Sequence, residues 1–195
     1  MNTKTIATIA VFSALTIALN LSPFKIPAPF APFLIYQIWE IPIIAAFLLF
    51  GPSMGAGIAV INTVALLALF PGELPTGPFY NLAAVLGMFV GVYGAHCFMA
   101  RYSGVRREAL LVIASTGLGV VSRVAIMSIA NWAFLRYPPP VGFSMTEESL
   151  TLMLPIVGFF NATLALYVIP IGHVLARAVG VGIKTGMWNP RPERD

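Results

Sequence analysis

A few charged and amide side chains stand inside otherwise apolar stretches of this sequence, and they are its main candidates for chemistry. Arg123 lies near the middle of a long apolar run. Asn131 follows it by eight residues, about 80° further around a helix, with Met127 between them. A charge at the centre of a bilayer costs about 2.5–3.5 kcal/mol, so Arg123 should face the protein interior. Two interpretations stay open: a structural ion pair with Glu40, or one polar wall of a ligand cavity.

Three further asparagines lie within apolar runs. Asn62 lies inside the third run, Asn81 begins the fourth, and Asn161 lies inside the sixth. An amide surrounded by lipid needs a partner, and a hydrogen bond to a neighbouring helix explains Asn62. Asn131 and Asn161 fit better a neutral ligand with alternating donors and acceptors.

Sequence signatures of catalysis are absent. The chain has no H-E-x-x-H motif, no G-x-S-x-G motif and no glycine-rich phosphate loop. His96 and His173 have no second ligand three or four residues away, which argues against a metal site. Carboxylates are nearly absent from the apolar runs, which argues against a proton-driven or sodium-driven pump. We expect no enzyme, no cofactor and no metal, but a binding protein that needs a partner.

The elements that position these residues are predicted to be transmembrane helices. Hydrophobic types make up 58% of the 195 residues and charged types 9%, with a mean hydropathy of +0.89. Soluble domains carry about 25% charged residues, so this composition indicates an all-α integral membrane protein of the cell membrane. We predict a single domain, residues 1–195, with six spans at about 5–22, 37–50, 54–70, 79–100, 109–135 and 150–175. No separate ATPase domain fits.

The basic residues predict the orientation of these spans. The net charge of +4 indicates the orientation of the spans in the membrane and not nucleic-acid binding, because the basic residues lie in loops. Both termini are predicted to be cytoplasmic, since this places most Lys and Arg inside. The inside set is Lys4, Arg101, Arg106, Arg107, Arg177, Lys184, Arg191 and Arg194, and the outside set is Lys25 and Arg136.

Two surface features each admit two interpretations. The outside loop Pro23–Tyr36 carries Phe30, Phe33 and Tyr36, with Trp39 just beyond, and could form an interfacial belt or a lid over a flat ligand. Small residues form a stripe on the first helix, which could pack within the bundle or dock a partner membrane protein. That stripe is Ala7, Ala10, Ala14 and Ala18. A second stripe, Gly87, Gly91 and Ala95, is predicted to pack internally.

Taken in order, several stretches resemble the S components of energy-coupling factor (ECF) vitamin transporters, and among them the riboflavin-binding type. The stretches are FKIPAPFAPFL from Phe24 to Leu34, EIPIIAAFLLFGP from Glu40 to Pro52, Asn81, Arg123-Val124 with Asn131-Trp132, and Phe160-Asn161. The resemblance covers nearly the whole chain.

The resemblance implies a function and a set of partners. S components capture a vitamin in an outward-facing cavity and associate with a transmembrane coupling protein and two ATPases. By this likeness Ala10, Ala14 and Ala18 would dock the coupling protein, and Asn131 and Asn161 would contact the vitamin, with riboflavin the first expectation. Its partners would be this vitamin, the transport subunits and membrane lipid. The substrate contacts we expect are Phe33, Tyr36, Glu40, Asn81, Arg123, Met127, Asn131 and Asn161.

The sequence also departs from the riboflavin pattern at three places. Leu164 replaces a usual lysine, Pro78 lies within a segment that is often Gly-Glu-Leu-Ala-Asn, and Gln37 replaces an acidic residue. These changes fall where polar contacts to the ligand would lie, so an S component for another vitamin stays open. A stand-alone carrier, an intramembrane enzyme and a structural subunit without ligand are competing hypotheses for the function of the chain.

Overall fold

Six helices and one short hairpin make up the described part of this chain. The computed structural model describes residues 3–69, 74–100 and 107–190. Its elements in order are α1 (Thr3–Leu21), β1 (Ile26–Ala28), β2 (Ala31–Tyr36), α2 (Glu40–Phe50), α3 (Pro52–Leu69), α4 (Gly77–Met99), α5 (Arg107–Phe134) and α6 (Glu147–Ile183). Several predicted features lie outside the described residues: Phe70, part of the loop Pro71–Pro78, and the orientation residues Arg101, Arg106, Arg191 and Arg194.

Four helices, α3 to α6, are long and apolar enough to cross a membrane. The apolar helical stretches in α1 and α2 are shorter, covering Thr5–Leu21 and Glu40–Phe50. The protein is therefore a multi-pass membrane protein, and the predicted all-α membrane fold is confirmed.

Helix α2 lies at the centre of the bundle. Its residues are buried except Ile41 and Phe50, and it packs against α1, α3 and α6. Eleven residues span only about 16 Å, roughly half of a bilayer core. A helix that is apolar on every side is a buried one, so α2 positions its first residue, Glu40, inside the protein.

The segment predicted as the loop Pro23–Tyr36 contains a β-hairpin. Strands β1 and β2 pair antiparallel, with Ile26 opposite Tyr36 and Pro27 opposite Ile35. The hairpin was not predicted from the sequence, because prolines usually argue against β-strands. The fixed φ of proline is nevertheless compatible with an extended edge strand.

Several helices begin a few residues away from the predicted starts of the spans. The second helix begins at Glu40 and not at 37, the third begins at Pro52, and the fourth at Gly77. A proline in the first turn of a helix loses no hydrogen bond, which explains the start of α3 at Pro52.

The largest difference concerns α6, which covers Glu147–Ile183 and therefore extends beyond the predicted span 150–175 at both ends. Thr146 caps it, with Oγ1 accepting the Ser149 N–H at 3.3 Å. Glu147 and Glu148 suit the positive end of the helix dipole, so charged residues extend the helix beyond its apolar stretch.

Helices α4 and α5 approach closely at the small-residue stripe of α4. A Cβ added to Gly91 would lie 2.1 Å from the Leu118 carbonyl oxygen, and one added to Gly87 would lie 3.2 Å from Ile126. A larger side chain at Gly91 cannot fit without separating the helices. Internal packing by this stripe is confirmed.

The chain after α6 turns back and covers one end of the bundle, where the sequence predicts only a basic tail. Lys184 adopts a left-handed conformation with φ 54°, and the Trp188 N–H donates to the Leu48 carbonyl at 2.8 Å. The Trp188 ring lies 5.8 Å from the Tyr93 ring, centroid to centroid. A Cβ at Gly51 would lie 2.9 Å from Trp188 Nε1, so this turn is also restricted to glycine.

Candidate ligand cavity

A cavity of about 330 Å³ opens at the end of the bundle opposite Trp188. It lies between α2, α4, α5 and α6, with residues of β2 at its mouth. Seven of the eight predicted contact residues line it: Phe33, Glu40, Asn81, Arg123, Met127, Asn131 and Asn161. These side chains come from five elements that are far apart in the sequence.

A buried ion pair forms the polar floor of the cavity. Arg123 Nη2 donates to Glu40 Oε1 at 2.9 Å, and Nη1 donates to Glu40 Oε2. Arg123 Nε donates to Asn161 Oδ1 at 3.0 Å. Glu40 and Arg123 are each only 3% exposed. The predicted ion pair of Arg123 with Glu40 is confirmed. Arg123 also lines this cavity, and its contact with a ligand stays a prediction.

Two cavity asparagines are oriented by their own helices. Asn131 Nδ2 donates to the Met127 carbonyl at 2.6 Å, and Asn161 Nδ2 donates to the Val157 carbonyl at 2.9 Å. A primary amide has two donor hydrogens and an acceptor oxygen with two lone pairs. Each side chain is thus fixed in direction and keeps further hydrogen-bonding capacity for a ligand.

The hairpin lies over the cavity mouth and is fastened to α6. The hydroxyl groups of Tyr36 and Thr163 are 2.6 Å apart, within hydrogen-bonding distance. The Phe30 ring lies 5.0 Å from the Phe159 ring, centroid to centroid. Tyr36 is thus the exception among the predicted contacts, because it lies outside the cavity and holds the hairpin in place. It borders a separate apolar hollow that also contains Phe24 and Tyr167.

Sequence reasoning missed part of the apolar wall of the cavity. Tyr80 and Phe143 line it and were not among the expected contacts. Because Tyr80 directly precedes Asn81, a position near the cavity could have been predicted for it. Phe143 lies in the segment between α5 and α6, where no helical periodicity indicates which way a residue faces. Leu164 and Gln37, two of the departures from the riboflavin pattern, also line the cavity.

The alanine stripe of α1 faces outward. Ala7, Ala10, Ala14 and Ala18 are exposed, whereas Ser13 and Thr16 on the other side of the helix are buried. The stripe therefore does not pack within the bundle. The inner side of α1 is joined to α3 by a hydrogen bond from Asn20 Nδ2 to Asn62 Oδ1 at 3.3 Å, which confirms the helix-to-helix role predicted for Asn62.

The two histidines come together at the end of the bundle closed by Trp188. The rings of His96 and His173 stack with centroids 6.3 Å apart. Within residues 3–69, 74–100 and 107–190, no group of three or more His, Cys, Asp or Glu residues could hold a metal ion.

Comparison with known proteins identifies the fold. No protein-family model and no curated protein sequence matches this chain. A solved structure described as the S component of a bacterial ECF transporter superposes with a TM-score of 0.69 at 22% sequence identity. The match covers 93% of this chain and 98% of that one. This chain shares the fold of that S component.

Proposed function

We propose that this chain is the substrate-capture subunit of an ATP-driven importer of the ECF type. The observation that carries the proposal is the cavity itself, which has a polar floor, an aromatic mouth and a fastened hairpin above it. A concave, mostly apolar site with a few directed polar groups is the usual form of a small-molecule site. The fold shared with an S component supports the same function.

The cavity is proposed to open toward the outside of the cell. Lys25 precedes the hairpin and Arg136 follows α5 beside the cavity-lining Leu135, so both belong to the cavity end. Arg177 and Lys184 belong to the far end of α6. Lys4 near the start of α1 and Arg107 at the start of α5 belong to that end too. Four basic residues against two support a cytoplasmic far end by the positive-inside rule.

The energy for import is proposed to come from a transmembrane coupling protein and two ATPases. Among the described residues that line the cavity, Glu40 is the one carboxylate and it is paired with Arg123, which argues against a proton-driven or sodium-driven step there. The exposed alanine face of α1, with Ala10, Ala14 and Ala18, is proposed as the docking site. Small side chains allow a partner helix to approach closely within the membrane.

Riboflavin is proposed as the first candidate ligand. Asn81, Asn131 and Asn161 offer amide donors and acceptors, and Trp39 and Phe160 offer flat apolar surface for a ring system. Leu164 and Gln37 lie in the cavity at positions where the riboflavin type is usually charged, so another uncharged vitamin is the second candidate. No covalent chemistry is proposed.

The ligand can be identified from the purified protein. The experiment is to purify the chain in mild detergent, record its visible absorption spectrum and determine the mass of any small molecule that accompanies it. A yellow preparation with the mass of riboflavin is the expected result. A colourless preparation with another bound molecule would identify that molecule, and not riboflavin, as the ligand. A preparation that binds no vitamin would refute the proposed capture function.

A further inference from the structure

The charged groups of the cavity cancel one another. Of the described residues that line it, Glu40 and Arg123 carry charge, and the others are apolar or neutral polar side chains. The two groups form a bidentate pair in which both guanidinium Nη atoms donate to the same carboxylate. The cavity therefore contains a strong cation and a strong anion but has no net charge.

The guanidinium group of Arg123 has little capacity left for a ligand anion. Its Nε donates to Asn161, its Nη atoms donate to Glu40, and Nη1 also lies 3.8 Å from Met88 Sδ. A carboxylate or phosphate that sought Arg123 would have to displace Glu40, which is itself 3% exposed. The displaced carboxylate would then be a buried charge without a partner, which is strongly unfavourable.

The remaining polar groups of the cavity suit an uncharged ligand. Asn81, Asn131 and Asn161 are neutral amides, and the Gln37 side-chain oxygen is buried with no hydrogen-bond donor among the described residues. A ligand N–H would satisfy such an acceptor. Neutral amide edges bind the alternating donors and acceptors of a heterocyclic amide or imide.

We propose that Glu40 acts as a charge filter: by neutralising Arg123, it restricts the cavity to uncharged heterocycles and excludes their carboxylated or phosphorylated forms. The inference rests on the proposed capture function and adds the charge class of the ligand. Selectivity of this kind works by a penalty on the wrong ligand, because a charged molecule would lose its hydration and find no free counter-charge.

The first test measures ligand charge on the wild-type protein. Thermal stabilisation of the purified chain is measured with pairs of compounds that share one ring system and differ in charge. The pairs are riboflavin with riboflavin 5′-phosphate, and nicotinamide with nicotinate. Stabilisation by a neutral member, with binding of its charged partner weaker by about tenfold or more, is expected. Stronger binding of a charged member, or stabilisation by no neutral member, would overturn the proposal.

The second test changes the filter. Glu40→Gln keeps the shape of the side chain and removes its charge, so Arg123 becomes free to meet a ligand anion. The affinity for the charged member of the bound pair, relative to the neutral member, is expected to rise by about tenfold. The double variant Glu40→Gln with Arg123→Met removes both charges, so the gain in affinity for the charged member should disappear. A folded Glu40→Gln variant with unchanged selectivity would refute the filter.

The proposal can still be tested if the single variant is unstable. If Glu40→Gln alone does not fold, the double variant and the wild type are compared directly. A double variant that binds the charged member as well as the neutral member would count against a cavity built for neutral ligands. Binding only of the neutral member would support it.

The outcomes separate this inference from the proposed function. A chain that binds an uncharged ligand but never assembles with a coupling protein would keep the charge filter and lose the importer. A chain that assembles with a coupling protein and delivers an anionic substrate would support the importer and refute the charge filter.

Discussion

At the scale of single residues, the pair Glu40–Arg123 links the stability of the protein to the character of its cavity. Two charges that are each 3% exposed can persist because they bond to one another in bidentate geometry, with Asn161 holding the third guanidinium nitrogen. The pair brings together the beginning of α2 and the middle of α5, which are 83 residues apart in the sequence.

Removing one partner of this pair should destabilise the protein strongly. Arg123→Met leaves Glu40 as a buried, unpaired carboxylate, and we expect the free energy of unfolding to fall by about 3–5 kcal/mol. Thermal or denaturant unfolding in detergent measures the change. The exposed pair Arg177–Glu108 provides the control, since Arg177→Met should cost less than about 1 kcal/mol. Equal stability of the two variants would show that the buried pair contributes no more to the free energy of unfolding than the exposed pair.

The cavity asparagines should contribute to ligand affinity. Asn131→Ala and Asn161→Ala each remove amide hydrogen bonds to the ligand, and each should weaken binding by about 1–3 kcal/mol. Titration calorimetry or fluorescence quenching measures the affinity. Asn20→Ala is the matched control, because Asn20 bonds to Asn62 between α1 and α3, away from the cavity. If both cavity variants bound ligand normally, the binding site would lie elsewhere.

Several of these residues were predictable because a polar side chain stands out within an apolar helix. Arg123, Asn131 and Asn161 were found in this way, and the structure brings all three to one cavity. The aromatic wall was harder to predict. Phe143 and Tyr80 look in sequence like any membrane-facing or core aromatic residue, and only the fold distinguishes a cavity wall from either.

At the scale of elements, the hairpin β1–β2 and helix α6 meet beside the mouth of the cavity. The hairpin packs against α6 through the contacts of Tyr36 and Phe30, and all β2 residues except Ala31 are exposed or only partly buried. An element with few buried contacts opens more easily than the core. The proposed function uses this property, because a lid has to admit the ligand and then retain it.

Loosening this lid should speed the release of ligand. Tyr36→Phe removes the hydroxyl that lies 2.6 Å from that of Thr163 and keeps the ring that packs 4.9 Å from Phe160. A lost hydrogen bond of about 0.5–1.5 kcal/mol should raise the dissociation rate by up to roughly tenfold. Stopped-flow measurement of release checks this. Tyr137→Phe at an exposed tyrosine should have no effect, and an unchanged rate in Tyr36→Phe would argue against a lid fastened here.

The exposed alanine face of α1 should govern assembly. Ala14→Trp places a large side chain where a partner helix is proposed to pack, so co-purification with the coupling protein should fall while ligand binding persists. Ala125→Trp places the same side chain at an exposed position of α5 and should leave assembly intact. Normal co-purification of Ala14→Trp would move the docking site to another face.

Helices were predicted more reliably than their ends or the segments between them. Long apolar runs such as α4 and α5 indicate helices directly, because a backbone in lipid must satisfy its own hydrogen bonds. The hairpin was missed because prolines dominate its sequence. The ends of α6 were missed because charged residues at Glu147 and Arg177 continue the helix beyond its apolar part.

At the scale of the whole molecule, the two ends of the bundle differ. One end holds the cavity and the hairpin, and the other is closed by Trp188 between the turn at Gly51 and the rings of Tyr93 and His96. The described structure thus shows a cup with one closed end. A cavity at one end of the described bundle suits the proposed capture of a ligand, and we propose that a coupling protein and ATPases complete the import.

The most direct test of the proposed capture function is uptake into proteoliposomes. The ligand identified on the purified chain is supplied outside vesicles that contain either the chain alone or the chain with a coupling protein and two ATPases. We predict uptake only with the complete set and internal ATP, and none with the chain alone or with Ala14→Trp. Uptake by the chain alone, without ATP, would contradict a capture subunit and would indicate a stand-alone carrier.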